Sequence, residues 1–202
     1  GLWGCLVHVG SLLEEARNFI PLAVGVSCCQ AAVEFGAEQS TIRWVNDVLV
    51  DEKKLAGFLI ESFVDHRFGE RYDLIGFGIN VNNSQFPEEL SGLAISLAEV
   101  LGKKVDLRAF ACSFFAKLRW NLGLIYFEEQ SMLQEEAYSG PFGEHLLLNS
   151  WKALSDTEAR QVKFGFDVVE APQYEATVLK IQGDGSLLLQ FDDGTTTVEN
   201  SG

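Results

Sequence analysis

The sequence predicts an α+β fold, a mixed or antiparallel sheet with packed helices followed by a small β-barrel. Three observations predict it. An apolar helical run at residues 20–35 follows a strand-like opening segment. The apolar period then switches from 3.6 to two between residues 41 and 81. From about Trp151 onward the chain becomes short alternating segments separated by tight-turn dipeptides. The expected division is therefore residues 1–150 and 151–202.

Each element has its own local cause. Leu2 to Val9 is an apolar run with a tryptophan and reads as a strand. Pro21 suits a first helical turn, where its missing N–H costs nothing, and Gly36 is a natural stop after Leu22, Val26, Cys29, Ala32 and Val33. From Thr41, the residues Ile42, Trp44, Val48 and Val50 share one face of a strand, and Asp51-Glu52-Lys53 makes a turn. Leu55–Phe63 and Tyr72–Val81 are two further strands around a polar loop, giving an antiparallel meander. Residues 91–128 return to helical spacing. Leu93, Leu97, Val100 and Leu101 form a stripe ended by Gly102, and Asp106 caps a second helix. That helix carries Leu107, Phe110, Phe114, Leu118 and Leu122, with Phe115 also read as core. Residues 128–138 extend it or form a separate turn. The C-terminal strands are expected at 161–169, 175–181, 186–191 and 195–199, with Asp184-Gly185 and Asp193-Gly194 at hairpin turns.

Composition narrows the function classes. An apolar share of 47% supports a packed core and excludes wholesale disorder. A net charge of −14 opposes sequence-independent nucleic-acid binding, which needs cations to replace counterions. No uninterrupted apolar run reaches membrane-span length, and no basic-then-apolar leader opens the chain. A soluble, cytoplasmic protein with neither nucleic-acid nor membrane partners is the expectation. Cys5, Cys28, Cys29 and Cys112 lack CxxC spacing and the histidines are scattered, so no zinc site is expected.

Two stretches carry chemistry-bearing residues. In Arg43-Trp44-Val45-Asn46-Asp47 and the following Lys54, a paired amide and carboxylate interrupt a strand ahead of a lysine-bearing hairpin. Asp47 could hold Mg²⁺, Asn46 could hydrogen-bond a nucleotide, and Lys54 is a compact charge suited to phosphate or carboxylate. A hairpin with a solvated polar edge accounts for the same residues. In Gly76-Phe77-Gly78-Ile79-Asn80, glycines within a strand permit close approach by a ligand or by another backbone, and Asn80 could meet a polar edge.

Together the two stretches resemble the biotin protein ligase family. Its pattern is Lys-Trp-Pro-Asn-Asp, then Lys-Leu-Ala-Gly-Ile-Leu-hydrophobic-Glu, then Gly-x-Gly-x-Asn. This chain has Arg43-Trp44-Val45-Asn46-Asp47, Lys54-Leu55-Ala56-Gly57-Phe58-Leu59-Ile60-Glu61 and Gly76-Phe77-Gly78-Ile79-Asn80. The resemblance covers essentially the whole chain. It implies a catalytic domain like those of class II aminoacyl-tRNA synthetases at 1–150 and an SH3-like C-terminal domain at 151–202. It also implies adenylation of biotin by Mg-ATP and transfer of biotin to a lysine of a biotin carboxyl carrier protein. Lys54 and Asp47 match the catalytic positions. Lys54, Gly57, Asn46, Asn80, Gly78 and Arg43 match positions around biotin and the adenylate, and Asp47 is the implied Mg²⁺ ligand. Arg43 and Val45 stand where the family has lysine and proline. The family's Gly-Arg-Gly-Arg-x-Gly loop and Ser-Thr-Asn stretch are not among these residues, and the resemblance places both ahead of Gly1. A catalytic domain without those strands is expected to be a homo-oligomer or marginally stable. A non-catalytic, ligase-like binding or assembly module is the alternative, and transfer of lipoate by a related ligase is a third reading.

Overall fold

The sheet is built from β1 (Leu2–Val9), β2 (Ser40–Arg43), β3 (Asp47–Val50), β4 (Lys53–Asp65) and β5 (Glu70–Ile79), in the order β1-β5-β4-β3-β2. A computed structural model describes residues 1–133, 145–165 and 172–200. Every pairing in this sheet is antiparallel. β4 and β5 pair from Ala56–Ile79 to Asp65–Glu70, as the meander predicts; β4 runs past both expected ends, while β5 begins two residues early and stops two residues short of Val81.

One expected strand is two. Residues 41–50 fold back on themselves as β2 and β3 through Trp44-Val45-Asn46. Ile42 pairs with Val48 and Ser40 with Val50, so even-numbered residues face the core on both arms. Alternation therefore looks the same in this hairpin as in one continuous strand, and periodicity cannot separate them.

The helices cover one face of the sheet. They are α1 (Glu14–Arg17), α2 (Phe19–Glu34), α3 (Leu97–Leu101), α4 (Leu107–Leu133) and α5 (Leu146–Leu154). α2 packs against α4, α5 and strands β2 to β4. Its residues Leu22, Ala23, Val24, Val26, Cys28 and Cys29 are fully buried. The stretch Glu14–Glu34 is long and apolar enough to cross a membrane by length and composition, but here it is the buried core helix. Gly102 ends α3 with φ +63°, and Asp106 accepts from the backbone N–H groups of Arg108 and Ala109 at the start of α4. α4 runs to Leu133, and the remaining residues of the 128–138 segment lie outside the described residues.

Two expected core residues are not buried. Leu93 is largely exposed, because the backbone around it bonds to β4 instead of coiling: Lys54 N donates to Leu93 O and Ile95 N to Lys54 O. Phe115 is 38% exposed and touches Phe77 edge-on, while Phe110, Phe114, Leu118 and Leu122 are buried as expected.

A second antiparallel sheet follows, β6 (Gln161–Phe164), β7 (Tyr174–Ile181), β8 (Leu187–Gln190) and β9 (Thr196–Glu199), in sequential order. Residues 166–169 of the expected first strand lie outside the described residues. Both Asp-Gly pairs turn as predicted. Gly185 and Gly194 have φ of +86° and +84°, and Asp184 and Asp193 each accept from the N–H and hydroxyl two residues on.

Beneath the main sheet lies a buried charged row. His8, Asp73 and Ser62 are neighbours in register across β1, β5 and β4. Arg17 rises from α1 to donate twice to Asp73, at 2.8 and 2.7 Å, and also bonds the carbonyls of Leu12 and Gly10. Ser62 donates to Asp73 at 2.6 Å, and His8 lies 3.1 Å from it. Burial alone would raise the Asp73 pKa. The bonds from Ser62 and His8 and the Arg17 charge outweigh burial and hold it below the ordinary 3.8. With the folded value below the unfolded one, this stabilisation is complete above pH 3.8 and is lost as pH falls through the folded value. Asp73→Ala strands the Arg17 charge and is expected to destabilise the fold by about 3–5 kcal/mol at neutral pH. Urea midpoints across the acid range should show a steep loss for the parent chain and a flatter one for Asp73→Ala.

Candidate functional site

The outer face of the sheet, away from the helices, carries a strip of bare peptide. Gly57 and Gly78 are paired in register, and Trp3 is next in the same row. A Cβ at Gly57 would lie 2.6 Å from Lys54 Cε, and one at Gly78 would lie 3.3 Å from Trp3 Cδ1. The glycines thus form a floor, with the lysine stem lying across one end and an indole standing over the other. Trp3 is 65% exposed, so its ring is available to a ligand. Sequence reasoning placed Trp3 only in a strand. Its signal was its parity, which directs it to the outer face of β1 opposite a glycine.

Lys54 is held where it is by its partners. Asp47 Oδ1 lies 2.8 Å from Lys54 Nζ, and its other oxygen accepts from Arg43 at 2.8 Å. Both cations are about half exposed, so these pairs add on the order of 1 kcal/mol at most, and their effect is mainly positional. The hairpin supplies the geometry, since Arg43 and Asp47 are a cross-strand pair and Lys54 is the second residue of β4 beside them. Asn80 follows the end of β5, donating its backbone N–H to Leu55 O and its side-chain amide to Lys54 O at 3.4 Å. Arg43, Lys54, Gly57, Gly78, Asn80 and Leu93 line one cleft of about 360 Å³. It combines two cations, which share Asp47 as a partner, with the Glu52 carboxylate, an amide and a glycine floor. Such a cleft suits a flat ring joined to an anionic group.

Asn46 is placed differently. It is buried in the β2–β3 turn and lines, with Asp47, a second cavity of about 610 Å³ bordered by Arg17, Pro21, Phe58 and Gly185. Trp44 and Trp151 fix this turn, their indole N–H groups donating to Gly185 O and Val45 O, each at 3.0 Å. The Trp44–Val45 peptide is cis. Among the described residues no group of three or more metal-binding side chains converges. Asp47, with both oxygens engaged, does not make a metal site by itself.

α2 approaches this turn closely through Gly25. A Cβ there would lie 3.1 Å from Asn46 Cα and 3.4 Å from Asn46 O. Gly→Ala in a helix ordinarily gains up to about 1 kcal/mol. Here the obstacle is backbone pinned by two tryptophans, so Gly25→Ala is expected to destabilise by about 1–3 kcal/mol. Thermal unfolding would check the sign.

A scan against models of protein families finds no match. The bifunctional ligase/repressor BirA of Bacillus subtilis is 33% identical over 108 residues, 52% of this chain and 33% of the relative. BirA of Salmonella typhimurium is 25% identical over 174 residues, 86% of this chain and 48% of the relative. The chain therefore spans from one third to about half the length of these curated relatives. Among solved structures, the biotin protein ligase of Aquifex aeolicus in complex with biotin and ATP superimposes with a TM-score of 0.68 at 22% identity. That match covers 100% of this chain and 75% of the other, and is a likeness of fold.

Proposed function

We propose that this chain, which over the region it shares belongs to the biotin protein ligase family, activates biotin with Mg-ATP and passes it to a protein lysine. The observation that carries this reading is the cleft in which Lys54 lies over the Gly57–Gly78 floor. In the first step a biotin carboxylate oxygen attacks the α-phosphorus of ATP. A P–O bond forms, the bond to pyrophosphate breaks, and biotinyl-5′-AMP results. In the second step a neutral lysine amine of a biotin carboxyl carrier domain attacks the acyl carbon. An amide forms, AMP leaves, and the amine gives up a proton.

Each residue has a role in this scheme. Lys54 offsets the negative charge of the carboxylate and α-phosphate as they meet, and Asp47 and Arg43 keep its ammonium in place. Gly57 and Gly78 let a planar ring lie against the peptide backbone, and Trp3 forms the wall beside it. Asn80 offers an amide to the adenine. Asn46 acts on the far side of Asp47, as a support of the turn. Mg²⁺ arrives as part of the nucleotide, with Asp47 as the carboxylate beside its phosphates. No protein nucleophile is needed, because positioning and charge neutralisation account for the chemistry. The C-terminal sheet is read as the SH3-like domain, the fold as synthetase-like, and the chain as a cytoplasmic protein able to self-associate.

The test is biotin-dependent release of pyrophosphate from Mg-ATP. Release by the parent chain is expected, with a fall of about 100-fold or more for Lys54→Ala and unchanged circular dichroism. Gly57→Ala should act similarly, because its Cβ falls on the Lys54 stem. Biotin binding by calorimetry without any release would favour the non-catalytic module, and full activity in Lys54→Ala would remove that residue from the scheme.

A further inference from the structure

Beside the glycine-floored cleft lies a second opening of about 670 Å³, and the two share Ala94 as a wall. Lys53, Lys103 and Lys104 line it, and Glu99 is the one carboxylate in its lining. The chain carries 29 carboxylates against 15 lysines and arginines. Much of that basic set is committed to ion pairs, as with Arg17, Arg43, Lys54, Arg71, Lys117 and Arg160. Lys53, Lys103 and Lys104 form no ion pair among the described residues. An acidic molecule has here gathered three lysines against one carboxylate in one place.

The turn that displays two of them is held rigidly. Asn82 clamps Val105 from both sides, its amide donating to Val105 O and its carbonyl accepting from Val105 N, each at 2.9 Å. Gly102 turns the chain out of α3, so Lys103 and Lys104 project from a fixed bend between α3 and α4. Lys53 faces them from the start of β4, and the bridge between Lys54 and Ala94 ties the two walls together.

We propose that this lysine-lined opening receives carboxylates on the surface of the protein that accepts the acyl group, docking it next to the glycine floor. The proposal rests on the ligase reading and adds to it how the acceptor is chosen. A free anion would be held by converging buried donors, whereas these ammonium groups are exposed or half-buried, on long stems, and mounted on separate segments. That arrangement fits a carboxylate-bearing protein face. The chain as a whole, at net −14, repels such a face and leaves this opening as the place where it can approach.

The probe is a biotin carrier domain of an acetyl-CoA carboxylase, titrated calorimetrically against the whole chain. Lys103→Glu with Lys104→Glu is expected to weaken binding about ten-fold or more at low salt, and the difference should shrink at high salt. Lys180→Glu, an exposed lysine on β7, should leave binding unchanged. Equal binding by the parent and the double variant would overturn the proposal, as would no binding by the parent. Pyrophosphate release, measured separately, reports on the ligase reading. Docking that fails while release persists sinks this inference alone.

Discussion

Gly57 and Gly78 remove side chains from one row of the sheet, and the rest of the site is arranged around that gap. The Lys54 stem occupies the space a Cβ at Gly57 would take, and the Trp3 ring stands beside Gly78. Neither arrangement would survive an alanine without movement. A glycine inside a strand costs conformational entropy and packs nothing, so two of them opposed in register make this the weakest row of the sheet. The loss is offset nearby, because β4 and β5 pair from Ala56–Ile79 to Asp65–Glu70 without interruption.

The position of Lys54 depends in turn on a hairpin fixed from outside the sheet. Asp47 can reach the lysine only because the β2–β3 turn reverses the chain after Arg43, and that turn rests on two indole N–H bonds, one to its own backbone and one to the C-terminal hairpin. Ser155 extends the same support, donating to Ile42 O at 2.7 Å. The second sheet and α5 thus take part in holding a charge on the first sheet. Packing of α2 on the turn through Gly25 closes the arrangement from below.

The sequence made much of this legible, and the failures have physical causes. α2, the β4–β5 meander and both Asp-Gly turns follow from periodicity and from residues with unusual backbone freedom. Those signals are local. The β2–β3 hairpin reads as one strand in the sequence because pairing Ile42 with Val48 preserves the parity of alternation. Leu93 was placed in a helical stripe because periodicity cannot register that its backbone bonds to β4. Lys54, Asp47, Gly57, Gly78 and Asn80 could be chosen from motif and spacing, but Trp3 could not. Its relevance depends on a register between β1 and β5 that spans more than seventy residues.

Charge distribution separates two uses of cations in this chain. In the Arg17–Asp73 row the pair is buried and each partner satisfies the other, so the interaction is a matter of folding. At Asp47 a single carboxylate faces two half-exposed cations beside the bare floor, and the Glu52 carboxylate in the same cleft is paired with Arg160. Lys53, Lys103 and Lys104 make no ion pair among the described residues, and Glu99 is the one carboxylate that lines their opening. Moving outward from core to site to rim, the acidic chain releases its cations progressively from internal duty. An anionic face would therefore meet its strongest positive charge at the rim, next to the floor, although the molecule as a whole is negative. Long-range attraction is absent and orientation is supplied at short range, within about a Debye length of 8–10 Å. Selection then depends on which face of a partner is presented, and not on its net charge.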